Sequence, residues 1–510
     1  MALMSNVLNP TGLAVVVAIL GIGWLIVSTI HSWYRLRHVP GPWLASFSYL
    51  WLIRNAVKGI QLEAFKTASK EYGSLIRVGP NEILTDDPDV IRRMSSVKST
   101  YLKSGWYLGT RAVVAPLTMF NIQDPVAHDR YKAKVGPGYS GRDIPNLEAD
   151  VDTQVESFVR LIRNHYISSP EAGGVFRPMD LATTVSYFTI DAIFKLAFGK
   201  ELGSLESNSD YEQIHETLTS TMRMTGFMSD VSWMRNIFFT PLLKLFGPSD
   251  KDKTGPGKAM KMANDRVREL FQPTRDKTKA TTMVESFIKH GLSQAECQVE
   301  TLFMFLAGSD TSATTIRTTM LYVISTPRVY QQLKREIATA VREGRVSSPI
   351  KMSEAKELPY LQAIVYEGLR IRPSLLGLTL KEVPEEGDMI DGKFIPGGTA
   401  VGMNFHAVSR SRAAFGQDAD FFRPERYLEV DSKTAADMRR HVELTFGSGR
   451  WACAGKPIAM MELNKVFFEL FRYFDFQLMN PEKPMSTFYH ALAIEEDLIV
   501  RVTECDILAC

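Results

Sequence analysis

The chain has 510 residues, 45% apolar and 23% charged, with 59 Lys and Arg against 57 Asp and Glu, a net charge of +2. That balance excludes a disordered polyelectrolyte and offers no basic excess for holding nucleic acid. Its four cysteines (Cys297, Cys453, Cys505 and Cys510) show neither CxxC spacing nor an even framework, which argues against a zinc site or a disulfide scaffold and fits reducing surroundings.

Residues 13–30 are almost wholly apolar, and no Asp, Glu, Lys or Arg precedes Arg35. About 20 such residues cross a bilayer core. Trp33 and Tyr34 would sit at the interface, and Arg35, Arg37 and His38 would keep the following chain cytoplasmic. A cleaved signal peptide would carry its charges before the apolar run and a small-residue site after it. We therefore expect a single-pass anchor over 1–34 and a linker over 35–45, stiffened by Pro40-Gly41-Pro42, with one body over 46–510.

Helical periodicity predicts helices over 147–164, 179–198, 210–224, 295–324, 328–343, 358–370 and 454–474. Strand-like runs fall at 75–85, as a hairpin about Gly79-Pro80, and at 379–405, broken by Glu386-Gly387 and Pro396-Gly397-Gly398. The stretch 248–258 reads as a surface loop. The expected class is mainly α with small segregated β-sheets.

Three stretches carry chemistry. Inside the long 295–324 helix, Ala307-Gly308-Ser309-Asp310-Thr311-Ser312 places a glycine where it costs about 1 kcal/mol against alanine. Ala307 and Gly308 would let a flat ligand come close, Thr311 could hold an oxygen species or water, and Asp310 could relay protons from solvent. Glu367 and Arg370 stand at i and i+3 on one helix face, and a second arginine, Arg426, follows in Pro424-Glu425-Arg426. Phe446, Gly447, Gly449 and Gly455 frame Cys453 immediately before a helix, where free N–H groups lower a thiol's pKa and make it a soft ligand for iron.

These stretches, in this order and approximate spacing, resemble the cytochrome P450 family: the oxygen-binding helix at Ala307 to Ser312, E-x-x-R at Glu367 and Arg370, P-E-R at Pro424 to Arg426, and F-x-x-G-x-x-x-C-x-G at Phe446, Gly449, Cys453 and Gly455. The resemblance spans essentially the whole chain and implies the cytochrome P450 fold with an N-terminal transmembrane helix. It implies haem b held by Cys453 as axial ligand to iron, with Asp310 and Thr311 delivering protons as O2 is activated. Glu367, Arg370 and Arg426 would form a structural ion network, while Phe446 would shield the thiolate. The 446–476 stretch looks most like filamentous-fungal enzymes of the pisatin-demethylase-like group, whose members commonly tailor secondary metabolites.

Two departures concern the haem propionates. Trp451 stands where the family usually has Arg or His, with Arg450 shifted by one, and the family's W-x-x-x-R reads His128 to Lys132. His128, Lys132 and Arg450 are the candidate donors, with Gly308, Phe446, Gly449 and Gly455 close to haem. By analogy, substrate would meet Trp106, Tyr107, Met224, Phe227, Leu375, Leu376 and Tyr489. The implied activity is hydroxylation, epoxidation or demethylation of a small lipophilic molecule, with electrons from NADPH through NADPH-cytochrome P450 reductase, at the endoplasmic reticulum membrane. Lys132, Lys134, Arg439, Arg440, Arg450 and Lys456 could form the reductase-docking patch. The alternative is a haem-thiolate isomerase or dehydratase that uses no external O2. Such enzymes often lack the acid–threonine pair.

Overall fold

The computed structural model describes residues 10–111, 115–169, 174–238, 247–273 and 278–508. Residues 1–9 of the expected anchor, and Cys510, lie outside the described residues. Ten helices position the site: α1 (Pro10–Leu36), α2 (Pro125–Tyr139), α3 (Leu147–His165), α4 (Leu181–Phe198), α5 (Ile214–Asp230), α6 (Gly255–Leu270), α7 (Gln294–Ile324), α8 (Pro327–Arg342), α9 (Pro359–Ile371) and α10 (Lys456–Tyr473). Strands β1 (Leu75–Arg77), β2 (Glu82–Thr85), β3 (Leu102–Lys103), β5 (Lys381–Glu382) and β8 (Ala400–Met403) form one sheet, in the order β1-β2-β8-β5-β3. Three small sheets complete it: β4 (Met179–Asp180) and β9 (Phe474–Leu478) on either side of β12 (Ile499–Glu504), β6 (Asp388–Ile390) with β7 (Lys393–Ile395), and β10 (Ser486–Tyr489) with β11 (Ala493–Glu496).

Local chemistry explains where the predicted elements shift. Met179 and Asp180 pair with Val500 and Ile499 as a strand, and the Asp180 carboxylate then accepts from the Ala182 and Thr183 amides to start α4. The 210–224 helix begins late because Asp210 accepts from the His215 and Glu216 amides while Glu212 and Gln213 turn to positive φ. It then runs on to Asp230. The expected loop at 248–258 gives up its last four residues to the first turn of α6.

The two most apolar helices have opposite fates. The most apolar 18-residue window within Leu13–Leu36 has a mean hydropathy of 2.6 and no buried residue, as a membrane span requires, whereas that of Leu181–Phe198, at 1.3, is 83% buried and belongs to the protein core. There α4 lies along α7, with Phe194 stacked on Phe305 at 4.0 Å. The last turn of α1 docks on the first sheet: buried Arg77 donates to the carbonyls of Ser32 and Pro80 at 3.0 and 2.6 Å, and Arg35 donates to that of Gly397 at 2.5 Å. The stiff elbow therefore begins only after the helix end has been fixed to the body.

On the other side of α7, Glu367, Arg370 and Arg426 are essentially without solvent contact. Glu367 takes Arg370 through both oxygens, at 2.7 and 2.8 Å, and accepts from Arg426 Nε at 3.1 Å and the Arg423 amide at 2.7 Å. The remaining Arg370 donors reach the carbonyls of Ser409, Ala419 and Phe421, so all five of its N–H groups are used. Removing one member strands the others' charge. Glu367→Ala should therefore cost about 3–5 kcal/mol, read as a lower urea midpoint, and should lower the yield of haem-loaded protein without altering the product made by the folded fraction.

Candidate active site

The 446–455 loop is set by two glycines with left-handed backbone, Gly447 (φ +70) and Gly449 (φ +56). A side chain at Gly449 would lie 2.2 Å from the Ser95 carbonyl oxygen, so glycine lets the loop press against the helix that ends at Ser95. The Cys453 amide donates back to the Phe446 carbonyl at 2.7 Å, closing the loop, and the thiol stands three residues before α10. Its sulfur accepts from the amides of Gly455 and Lys456, which favours the thiolate, as do the nearby charges of Lys132 and Lys456. Burial outweighs them and pushes the thiol pKa up. Cys453 is exposed and lines a cavity.

That cavity has a volume of about 350 Å³. Cys453, Phe446 and Gly455 line one part, and Ala307, Gly308, Thr311 and Ser312 of α7 line another. Thr311 Oγ1 donates to the Ala307 carbonyl at 2.8 Å. Asp310 is buried but does not line the cavity: Oδ1 lies 4.0 Å from Arg317, and Oδ2 has no hydrogen-bond partner among the described residues. Gly308 does border the cavity, but its missing side chain faces Ile193, 3.1 Å from where a Cβ would sit. The expectation that this glycine makes room for a flat ligand is corrected: it makes room for α4.

The propionate candidates divide. His128 lines the cavity and its ring packs on Trp451 at 4.4 Å, so the two residues that depart from the family pattern fill one place together. Lys132 instead donates to the carbonyls of Arg450 and Ala452, and Arg450 pairs with Asp129 at 3.1 Å; neither lines the cavity. Two lysines that sequence reasoning missed do. Lys103 donates to the carbonyls of Met119 and Phe120 and sits over the Trp451 ring at 4.6 Å, and Lys381 donates to Ser95. Each is no more than 7% exposed, and neither has a carboxylate within 4.0 Å among the described residues. Burial lowers both ammonium pKa values, that of Lys381 to about 7, and the charge of Lys381 further lowers that of Lys103. A pair of buried cations in a cavity with a thiol fits a flat metal complex bearing two carboxylates, which is what haem b presents. Only the structure discloses this: in β3, Leu102 points outward at 45% exposed and Lys103 inward, the reverse of an ordinary strand.

Of the substrate candidates, Trp106, Tyr107 and Leu375 line the cavity. Met224 instead borders a second cavity of about 90 Å³, Phe227 packs on His490, Leu376 joins a small cluster with Leu62 and Ala493, and Tyr489 lies under Arg372. These four sit outside the main cavity because α5 is rotated and the 486–496 hairpin turned in ways that residue spacing does not disclose. The basic patch is thinner than its sequence suggests, since Arg450, Lys456 and Arg440 are paired with Asp129, Glu443 and Asp437.

Glu462, also missed, reaches the cavity from α10 and is hydrogen-bonded by Ser312. Burial pushes its pKa up to about 8. The unfolded chain releases this proton near 4.5 and the folded chain keeps it to about 8, so the group lowers stability as pH rises through that window. Glu462→Gln should flatten that slope: between pH 5 and 8 the Tm of the variant should fall less than that of the wild type. Lys381→Met should release haem several-fold faster, measured by transfer to an excess of apomyoglobin, with the Cys453 thiolate spectrum retained in the loaded fraction.

The family model for cytochrome P450 matches residues 38–499. Similar curated proteins include cytochrome P450 monooxygenase aba1 of Botryotinia fuckeliana, 44% identical over 92% of both chains. ABA1 of Pyricularia oryzae is 42% identical over 94% of this chain and 95% of its own. The monooxygenase abl1 of Leptosphaeria maculans is 40% identical over 90% and 82%. A match of this length, on a fold that brings the cysteine loop and the acid–threonine helix to one cavity, makes the protein an oxidoreductase built around haem iron, and the chain belongs to the cytochrome P450 family.

Proposed function

We propose that the protein is a membrane-anchored haem-thiolate monooxygenase that takes electrons from NADPH through NADPH-cytochrome P450 reductase and inserts oxygen from O2 into a small lipophilic molecule of fungal secondary metabolism. The observation that carries this reading is the shared cavity, with the Cys453 thiol in one wall, Thr311 in another and an apolar lining that includes Ile91, Phe303 and Leu375. The leading curated relatives bear the name cytochrome P450 monooxygenase, which supports oxygen insertion.

Bound haem would supply an iron centre able to activate O2. Cys453 Sγ would hold the iron, with the Gly455 and Lys456 amides holding part of the thiolate charge and Phe446 beside it limiting water. Lys103, Lys381 and His128 would hold the propionates. Thr311 Oγ1, whose own proton goes to the Ala307 carbonyl, keeps lone pairs with which to accept a hydrogen bond in the cavity. Asp310, the preceding residue, would carry protons to it from solvent through its unpartnered Oδ2. The same pair favours this reading over a haem-thiolate isomerase, which needs no proton delivery to O2. The anchor would be α1, in the endoplasmic reticulum membrane with the body in the cytoplasm. Reductase docking would rest chiefly on Lys134 and Arg439.

The test is spectroscopic first. Reduced protein with carbon monoxide should give the strongly red-shifted Soret band of thiolate ligation, and Cys453→Ser should abolish it. A histidine-type band, or protein that takes up no haem, would overturn the reading. With reductase and NADPH, Thr311→Ala should keep the band but divert most reducing equivalents to hydrogen peroxide, measured as peroxide formed per NADPH consumed. Unchanged coupling would remove Thr311 from proton delivery.

A further inference from the structure

Asp230 closes α5, and two physical costs attach to it there. A carboxylate at a helix C-terminus faces the negative end of the helix dipole. It is also only 3% exposed, where an unanswered charge is unfavourable. The side chain is answered from several directions: Oδ1 accepts from Trp106 Nε1 at 2.7 Å, and Oδ2 accepts from Gln61 Nε2 at 3.0 Å. The ring of His490, whose Nε2 has no hydrogen-bond partner among the described residues, lies 3.8 Å from Oδ2.

The neighbours come from separate parts of the chain, and two of those parts build the cavity wall together with α5 itself. Trp106 lines it directly, Thr225, Gly226 and Ser229 line it from α5, and Ala491 and Leu492 line it from the turn that begins at His490. Gln61 opens the helix Gln61–Tyr72 behind them. The fit around Asp230 has no slack. A Cβ on Gly226 would lie 2.7 Å from that of Ala491, and one on Gly377 would lie 2.8 Å from the Trp106 ring. Nothing in the chemistry attributed to Cys453, Asp310 or Thr311 uses Asp230.

We propose that Asp230 is a positioning residue: it fixes the Trp106 indole in the cavity wall and ties the end of α5 to the helix that begins at Gln61, and so sets the size of apolar molecule the cavity admits. The inference rests on the reading of this cavity as the haem and substrate site. Without the carboxylate the indole N–H loses its acceptor and the α5 end loses its tie to the 61–72 helix, so the wall loosens where a long substrate would press on it. Ligands confined to the iron would not feel the change.

The test uses full-length, haem-loaded protein and two probes that bind iron through the same nitrogen, imidazole and 1-dodecylimidazole, titrated by the shift of the Soret band. Wild type should bind the dodecyl compound more tightly than imidazole. Asp230→Ala should lose about tenfold of that preference, while its affinity for imidazole stays within about twofold and its carbon monoxide band is unchanged. Trp106→Phe, which keeps an aromatic ring but removes the N–H, should lose preference in the same direction by a smaller factor. Equal changes for both probes, or an unchanged ratio in either variant, would overturn the proposal. If Asp230→Ala fails to load haem, the ratio for Trp106→Phe decides it. Wild-type protein with no thiolate band would instead be the failure of the underlying reading.

Discussion

A buried charge must be answered, and Glu367 shows how completely this chain meets that demand. One carboxylate binds Arg370 through both oxygens and also accepts from Arg426 and the Arg423 amide, with every Arg370 donor engaged. The carbonyls of Ser409, Phe415, Ala419 and Phe421 are drawn in by the two arginines. The long connection between the central sheet and the cysteine loop is thus pinned to α9. In a region with few strands and several irregular turns, that pinning substitutes for a hydrogen-bonded ladder.

The same rule separates groups that are complete in the protein from groups that wait for a ligand. Asp191 is complete: three backbone amides, from Gly203, Ser204 and Leu205, serve it. Lys103 and Lys381 are not, since their partners are carbonyls and a hydroxyl, and burial disfavours their charge. Under the proposed reading their placement in the cavity with Cys453 would give the acidic edge of haem its counter-charge, and Trp451, whose ring packs at a tilt against His128, lies under Lys103. Asp230 lies between these cases. Its bonds are satisfied, and one of its two donors, Trp106, also forms the cavity wall.

The hydroxyl and acid groups of α7 are divided between two of its faces. Thr311 and Ser312 face the cavity, and Ser312 leads to Glu462 on α10. Asp310 faces Arg317, which is itself held by the Ala182 carbonyl on α4. Gly308 explains how α7 can approach α4 closely enough for this, since Ile193 occupies the space a side chain would take.

The sequence by itself determined the elements and the chemistry that depend on local order: the long helices, the 75–85 hairpin, the apolar helix before Arg35, and the pairing of Glu367 with Arg370. A glycine-framed cysteine before a helix, and an acid–threonine pair on an apolar one, specify what those groups can do wherever the chain carries them. Tertiary structure alone decided what shares a wall with what. Lys103, Lys381 and Glu462 stand 350, 72 and 9 residues from Cys453, and no local pattern links them to it. Met224, Phe227, Leu376 and Tyr489 stand outside the cavity for the same reason. Helical spacing says which residues share a face, but the rotation of that face toward a cavity or a neighbouring helix is set by packing against distant side chains.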